Sequence, residues 1–501
     1  MEPLLIRNVF PVPLAPGEAP PAHPYDVLVE GGRVTAVAPD IAQSADMRCF
    51  DADGRWIIPG LWDQHVHLGQ VAMTSTRLDL STTRSPEEAT YFVRERMAQS
   101  PDSPLIAFGH RSATWERDGT VAELDAISQT APIVLISGDA HHAWLNSVAL
   151  RGLGLAERDD VVREAEWFDA YPRLEALVGQ EATPAAYRWV EAEAATRGVV
   201  GLVDFEFTGG ATEWAERWAD GADLLRIRMA TYAAGLDAVI AAGLRTGDPI
   251  PGTDLAVMGP VKVISDGSLN TRTAWCCEPY ADSHGFEFPR GYPNQEQAEL
   301  EALLARAHAH GLEAAVHAIG DAAASAALDA FAATGAGGSI EHLQLIRTSD
   351  IARLAASGLR ASVQPAHLLD DRDVTEYCWP DRMDRCFNLR SMHDAGVRLA
   401  LGSDAPVAPL DPWLAMAAAV HRSGDERDPW NPAESLTVRE ALAASTDGWG
   451  TVAAGHPGDL VVLDNDPLLD LGDSASNSAH LRAMQVAATY VAGRLIAPLW
   501  E

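Results

Sequence analysis

The sequence predicts an α/β protein: a (β/α)8 TIM-like barrel, a small β-sandwich domain built from both termini, and a large insertion after the first barrel strand. Three observations carry that expectation. Eight apolar, strand-like runs alternate with alanine-rich helical stretches through the middle of the 501-residue chain. Short strand runs bounded by turn residues cluster at both ends. Several central runs close on histidine, lysine or aspartate, at the strand ends where barrel enzymes place their chemistry.

Residues 1–56 read as the N-terminal part of the sandwich, with strands at 4–9, 25–30 and 33–37 and a Gly31-Gly32 turn between the last two. The barrel is expected over 57–68 and 196–450. Its eight runs are Ile57-Ile58, 199–204, 224–229, 261–264, 314–317, 339–342, 360–364 and 397–404. Residues 69–195 are too many for one crossover and form the insertion, with a strand at 132–136. Two helices, at 86–97 and 184–197, each open with proline after a Ser or Thr cap. Residues 451–501 supply strands at 459–464 and 486–496 and complete the sandwich.

Bulk properties narrow the function classes. A net charge of −34, from 37 basic and 71 acidic residues, argues against nucleic acid or an anionic membrane as partner. A small-molecule substrate is expected instead, and a homodimer is compatible with the chain. Five cysteines form no C-x-x-C pair, which fits a reducing cytoplasm with cysteines as small core residues. The N-terminus lacks the apolar core of a signal peptide, and no run reaches membrane-spanning length.

The chemistry starts from His65 and His67, which close the run from Trp56 to His67. Residues i and i+2 of a strand point to one face, so both imidazoles can reach one ion. A His-x-His pair arises readily by chance among 16 histidines, and the chain holds a second, His308 and His310. That pair sits at an alanine- and leucine-rich helix end before Gly311, where two residues rotate by about 200° and cannot share a ligand.

Partners for the first pair recur along the barrel: Lys262 on the fourth strand, and His317, His342 and Asp404 ending the fifth, sixth and eighth. Neutral imidazoles and a carboxylate suit Zn2+ or a similar first-row ion, one or two in number. Lys262 needs its own account, because an ammonium repels cations. Either CO2 converts it to an anionic carbamate able to bridge two metals, or it pairs with Asp266.

These segments resemble the amidohydrolase superfamily, and within it the amidohydrolase-3 type that includes N-substituted formamide deformylase. The resemblance rests on Pro59 to His67, Val261 to Leu269, His317 to Asp321, Ile340 to His342, Gln364 to His367, Gly402 to Val407 and Gly458 to Asp464. It implies a metal-dependent hydrolase acting on carbon–nitrogen bonds other than peptide bonds. It further implies that His65, His67 and Asp404 hold one metal, that His317 and His342 hold the second, and that a carboxylated Lys262 bridges them. Asn270 stands where the family usually has glycine, and His456 where it usually has lysine.

The implied chemistry is attack of metal-bound hydroxide on a polarised amide or N-formyl carbonyl. Asp404 takes the water's proton and passes it to the leaving amine, and His342 joins it as ligand and catalytic residue. His141 matches a histidine the family keeps in the insertion, and either polarises substrate or is structural. Arg272 either binds a polar substrate group or forms a surface salt bridge, and Asn270 lies in the same substrate loop. Rival readings are a cyclic-amide hydrolase, an esterase, a ring deaminase and a non-catalytic scaffold. The deaminase would need a glutamate three residues after His317, where the chain has Gly320.

Overall fold

The computed structural model describes residues 2–498 apart from 76, 111, 113–114, 138–141, 175–176, 178–182 and 208–209. The chain divides into two compact units, one of Met1–Gln70 with Tyr187–Glu501 and one of Val71–Ala186. No helix among the described residues is long and apolar enough to cross a membrane.

The first unit holds an eight-stranded sheet, named here β1 Leu61–Val66, β2 Val199–Asp204, β3 Arg226–Tyr232, β4 Ala256–Ile264, β5 Ala314–Ala318, β6 Gly338–His342, β7 Arg360–Val363 and β8 Arg398–Leu401. Every neighbouring pair is parallel and the strands follow chain order. Such strands are covered on both faces and read as near-continuous apolar runs; β1 and β2 are buried throughout. The sheet closes at its C-terminal end. Asp404 N donates to His65 O at 2.7 Å, and His67 N to Ala405 O at 2.9 Å. Gly402 permits that approach, since a Cβ there would lie 2.8 Å from His65 N.

Seven strands from both termini form a second sheet in the order Arg494–Ala497, Val486–Val491, Leu460–Leu463, Arg48–Pro59, Leu4–Pro11, Tyr25–Glu30, Arg33–Ala38. Residues from both halves of this order, among them Val29, Val34, Ile57, Val462 and Tyr490, share one apolar core. The sheet therefore curls on itself as a small sandwich.

Ile57 and Ile58 do not begin the barrel; they pair with Val462 and Val461 in the terminal sheet. The run from Trp56 to His67 breaks at Gly60, where a side chain would overlap Val200. The bare glycine lets the chain pass from one sheet to the other, and the first barrel strand begins at Leu61.

The unit Val71–Ala186 has its own five-stranded sheet, in the order Val162–Arg163, His142–Leu145, Ile133–Ser137, Leu105–His110, Leu78–Asp79. The sequence draws the insertion wider, over 69–195; Tyr187 onward belongs with the barrel unit. The expected helices are present as Pro86–Gln99 and Pro184–Thr196. Ser85 caps the first by accepting from Glu88 N at 3.2 Å. His308 and His310 lie exposed at the end of helix Gln297–Ala309. Cys276, Cys378 and Cys386 are core residues as expected, whereas Cys49 is exposed.

Candidate metal centre

The C-terminal ends of the barrel strands bring His65, His67, Lys262, His317, His342 and Asp404 into one cluster. Asp404 lies at its middle. Its Oδ1 is 3.5 Å from His65 Nε2 and 3.4 Å from His67 Nε2, while its Oδ2 is 3.9 Å from His367 Nε2. Two triplets, His65–His67–Asp404 and His342–His367–Asp404, each offer ligand atoms within 4.8 Å of one another. The carboxylate is common to both.

His65 is held from both ring nitrogens. Nδ1 lies 2.8 Å from Glu341 Oε2 and Nε2 lies 3.1 Å from Lys262 Nζ. Carboxylate partners of this kind fix the tautomer and orientation of a ligating histidine. Glu341 and His342 are adjacent, and adjacent strand residues ordinarily face opposite ways. A left-handed backbone at His342, φ 73°, removes it from that alternation. Glu341 thus reaches His65 by a hydrogen bond while the His342 ring comes within 4.8 Å of the His65 ring. Leu343 and Asp404 share the left-handed region, at φ 46° and 58°. Such backbone in non-glycine residues is costly and concentrates at functional sites.

His317 stands 4.4 Å from His342, ring to ring. Its Nε2 lies 3.2 Å from Gly267 O and 3.4 Å from Asp266 Oδ1, which leaves Nδ1 for the centre. Asp266 also accepts from Trp275 N, Ile319 N and Gly320 N at 2.8–3.0 Å, tying together the loops that follow β4 and β5. Lys262 is therefore not paired with Asp266. Its ammonium nitrogen lies beside His65 and 4.1 Å from the centre of the Phe205 ring.

The electrostatics favour ligand forms. Burial, reinforced by Lys262 and neighbouring imidazoles, holds His65 well below the usual histidine range; burial and His317 do the same for His342. Both rings are thus neutral donors. Burial pushes the Lys262 amine down to about 8, against the pull of Glu341 and Asp404. His65 Nε2, His67 Nε2 and Asp404 Oδ1 converge on one point, with His342 and His367 alongside. These imidazole and carboxylate donors fit a divalent transition ion.

The substrate candidates fare differently. Asn270 is exposed and its Nδ2 donates to Asp371 Oδ1 at 3.2 Å. Arg272 matches the salt-bridge alternative: Nε donates to Asp282 Oδ2 at 3.0 Å and Nη1 to Asn270 O at 2.8 Å. His141 lies outside the described residues. Two members of the cluster were not singled out from sequence, His367 and Glu341. His367 follows β7 in Gln364-Pro365-Ala366-His367, and its position just past a strand end is the signal that marks it.

Residues 48–497 match the Amidohydro_3 family, described as an amidohydrolase family. The chain is 26% identical to a putative amidohydrolase, YtcJ, of Bacillus subtilis, over 89% of both proteins. It is also 26% identical to N-substituted formamide deformylase of Arthrobacter pascens, over 94% of both. An uncharacterized metal-dependent hydrolase from Pyrococcus horikoshii shares the fold, with a TM-score of 0.77 and 23% identity over 95% of this chain and 99% of that one.

Proposed function

Because the chain belongs to the amidohydrolase family, we propose that it is a metal-dependent hydrolase cleaving a carbon–nitrogen bond of amide or N-formyl type. The observation that carries this reading is the Asp404 carboxylate, set between two histidine groups with one oxygen towards each.

His65, His67 and Asp404 would hold one ion, and His342 with His317 or His367 a second. When bound, divalent ions supply carbonyl polarisation and a water acidic enough to ionise near neutral pH. The rest falls to the protein. Asp404 Oδ2, turned away from His65 and His67, accepts the proton of the attacking water and returns it to the leaving nitrogen. Glu341 holds His65 Nδ1 and so fixes the direction of Nε2. The lowered Lys262 amine spends more time neutral, the form that adds to CO2. Its nitrogen lone pair bonds carbon, one N–H proton leaves, and the product is an anionic carbamate suited to lie between two cations.

A ring deaminase of the same superfamily is the reading the local backbone disfavours. A side chain at Gly320 would overlap the Trp275 carbonyl, so the position has no room for an acidic residue. The relatives' names leave the bond type open, and that is settled by experiment. Purified protein loaded with Zn2+, Mn2+ or Co2+ is assayed against N-substituted formamides, N-acyl amino acids, cyclic amides and simple esters. Release of amine from the formamides or acyl amines is the expected result. Absence of bound metal, with no activation by added ion, would overturn the hydrolase reading.

A further inference from the structure

One member of the cluster has no part in the ligand set that the family resemblance implies. His367 opens the helix His367–Cys378, just past β7. A turn closed by His367 N, which donates to Gln364 O at 3.1 Å, brings it over the strand ends. There its Nε2 lies 3.2 Å from Ser403 O and 3.9 Å from Asp404 Oδ2. Its ring runs nearly parallel to that of His342, with centroids 6.4 Å apart and planes at 19°.

The donor atoms group accordingly. Ligand atoms of His342, His367 and Asp404 all lie within 4.8 Å of one another. Two imidazoles and a carboxylate oxygen make a three-ligand set with a coordination position left open, the form that catalytic zinc sites take. His65, His67 and Asp404 repeat that set, with Asp404 Oδ1 towards them and Oδ2 towards His367. His317 enters neither group among the described residues. Its Nε2 is turned to Gly267 O and Asp266 Oδ1, and its ring meets His342 edge-on.

A histidine beyond a strand end is often held by hydrogen bonds alone, and Ser403 O is in reach of His367 Nε2. Two arrangements are open to a neutral ring. With its proton on Nε2 it donates to Ser403 O. With its proton on Nδ1 the Nε2 lone pair faces Ser403 O and Asp404 Oδ2, which repels unless a cation lies among the three. A cation there also meets His342, whose donor atom completes the group. We infer that His367 is a ligand of the second ion, completing its site with His342 and Asp404. The inference rests on the metal-dependent reading above, and it gives that ion a ligand from β7, a strand to which the implied ligand set assigns nothing.

Anomalous diffraction from crystals of the full chain grown with Zn2+ reads the contacts directly and needs no variant. The expected result is a peak about 2.0–2.1 Å from a ring nitrogen of His367, the usual Zn–N length. A map in which His65, His67 and Asp404 hold an ion but His367 touches none would overturn the inference and leave the hydrolase reading standing. A map with no ion at either group would overturn both. In solution, His367→Ala, checked by circular dichroism to be folded, should retain one Zn2+ fewer than wild type after dialysis, or take up the last one only at higher free Zn2+ in competition with a chelator. Stoichiometry and affinity equal to those of wild type would overturn the inference.

Discussion

The backbone amide of Asp404 donates to the carbonyl of His65 at 2.7 Å, so the contact that closes the barrel joins two residues of the candidate metal centre. The Asp404 side chain then turns back so that Oδ1 lies 3.5 Å from the same histidine's Nε2. Closure and ligand geometry are one feature, and a change that disturbs the strand ends would disturb both.

Asp404 is asked to act as ligand and as proton carrier, and these roles separate in Asp404→Asn. The amide keeps an oxygen donor but is not a base. Metal content measured by elemental analysis should fall modestly, while kcat falls by roughly 10²–10⁴, the usual worth of general acid–base catalysis. A variant with near wild-type kcat would assign the proton to another group.

Lys262→Ala distinguishes a bridging carbamate from a free ammonium. If the carbamate forms, the variant should lose metal and activity together, and short carboxylic acids such as acetate should restore part of both. If the amine is free, removing it takes a cation from beside His65, and the variant should bind metal at least as well as wild type. Metal stoichiometry with and without acetate reads the difference.

Glu341 is hydrogen-bonded to His65 Nδ1, so its replacement tests how that ligand is oriented. Glu341→Ala should weaken metal affinity by about 10–100-fold, as loss of a ligand's carboxylate partner generally does. Glu341→Gln, which still offers an oxygen to Nδ1–H, should lose less. Titration against a chelator measures both, and equal affinities across the three proteins would show that His65 needs no such support.

Much of this centre was legible in the chain because strand ends are punctuated there: His65, His67, His317, His342 and Asp404 each close an apolar run. Seven of the eight barrel strands overlap the runs that announce them. The exception is instructive, since Ile57-Ile58 is as apolar as any barrel strand and only the steric demand at Gly60 assigns it to the other sheet. Glu341 was hidden for a different reason. Alternation along a strand says that it and His342 face apart, and the left-handed turn at His342 is invisible in composition. His367 lies past the end of its strand and closes no apolar run, so its position after Val363 is a weaker signal than those of the other histidines. Arg272, which the sequence offers as either a substrate contact or a salt bridge, pairs with Asp282, a partner ten residues on that residue type alone does not announce.

The last prediction concerns stability and lies away from the centre. Glu191, on helix Pro184–Thr196, is fully buried; its Oε2 accepts from Leu224 N at 2.9 Å and its Oε1 has no hydrogen-bond partner among the described residues. Burial, with the Asp223 carboxylate nearby, pushes its acid up to about 8. The folded chain therefore keeps a proton that the unfolded chain releases near the ordinary value of 4.5. A raised folded pKa contributes stability that is complete below the unfolded value and is lost as pH climbs through about 8. The loss from this group is on the order of 3–5 kcal/mol at most. Glu191→Gln stays neutral throughout and can still accept from Leu224 N. Wild-type Tm should fall between pH 5 and pH 8.5 by more than the variant's Tm, and the two curves should lie closest at the acid end. Parallel curves would show that Glu191 does not carry the proton.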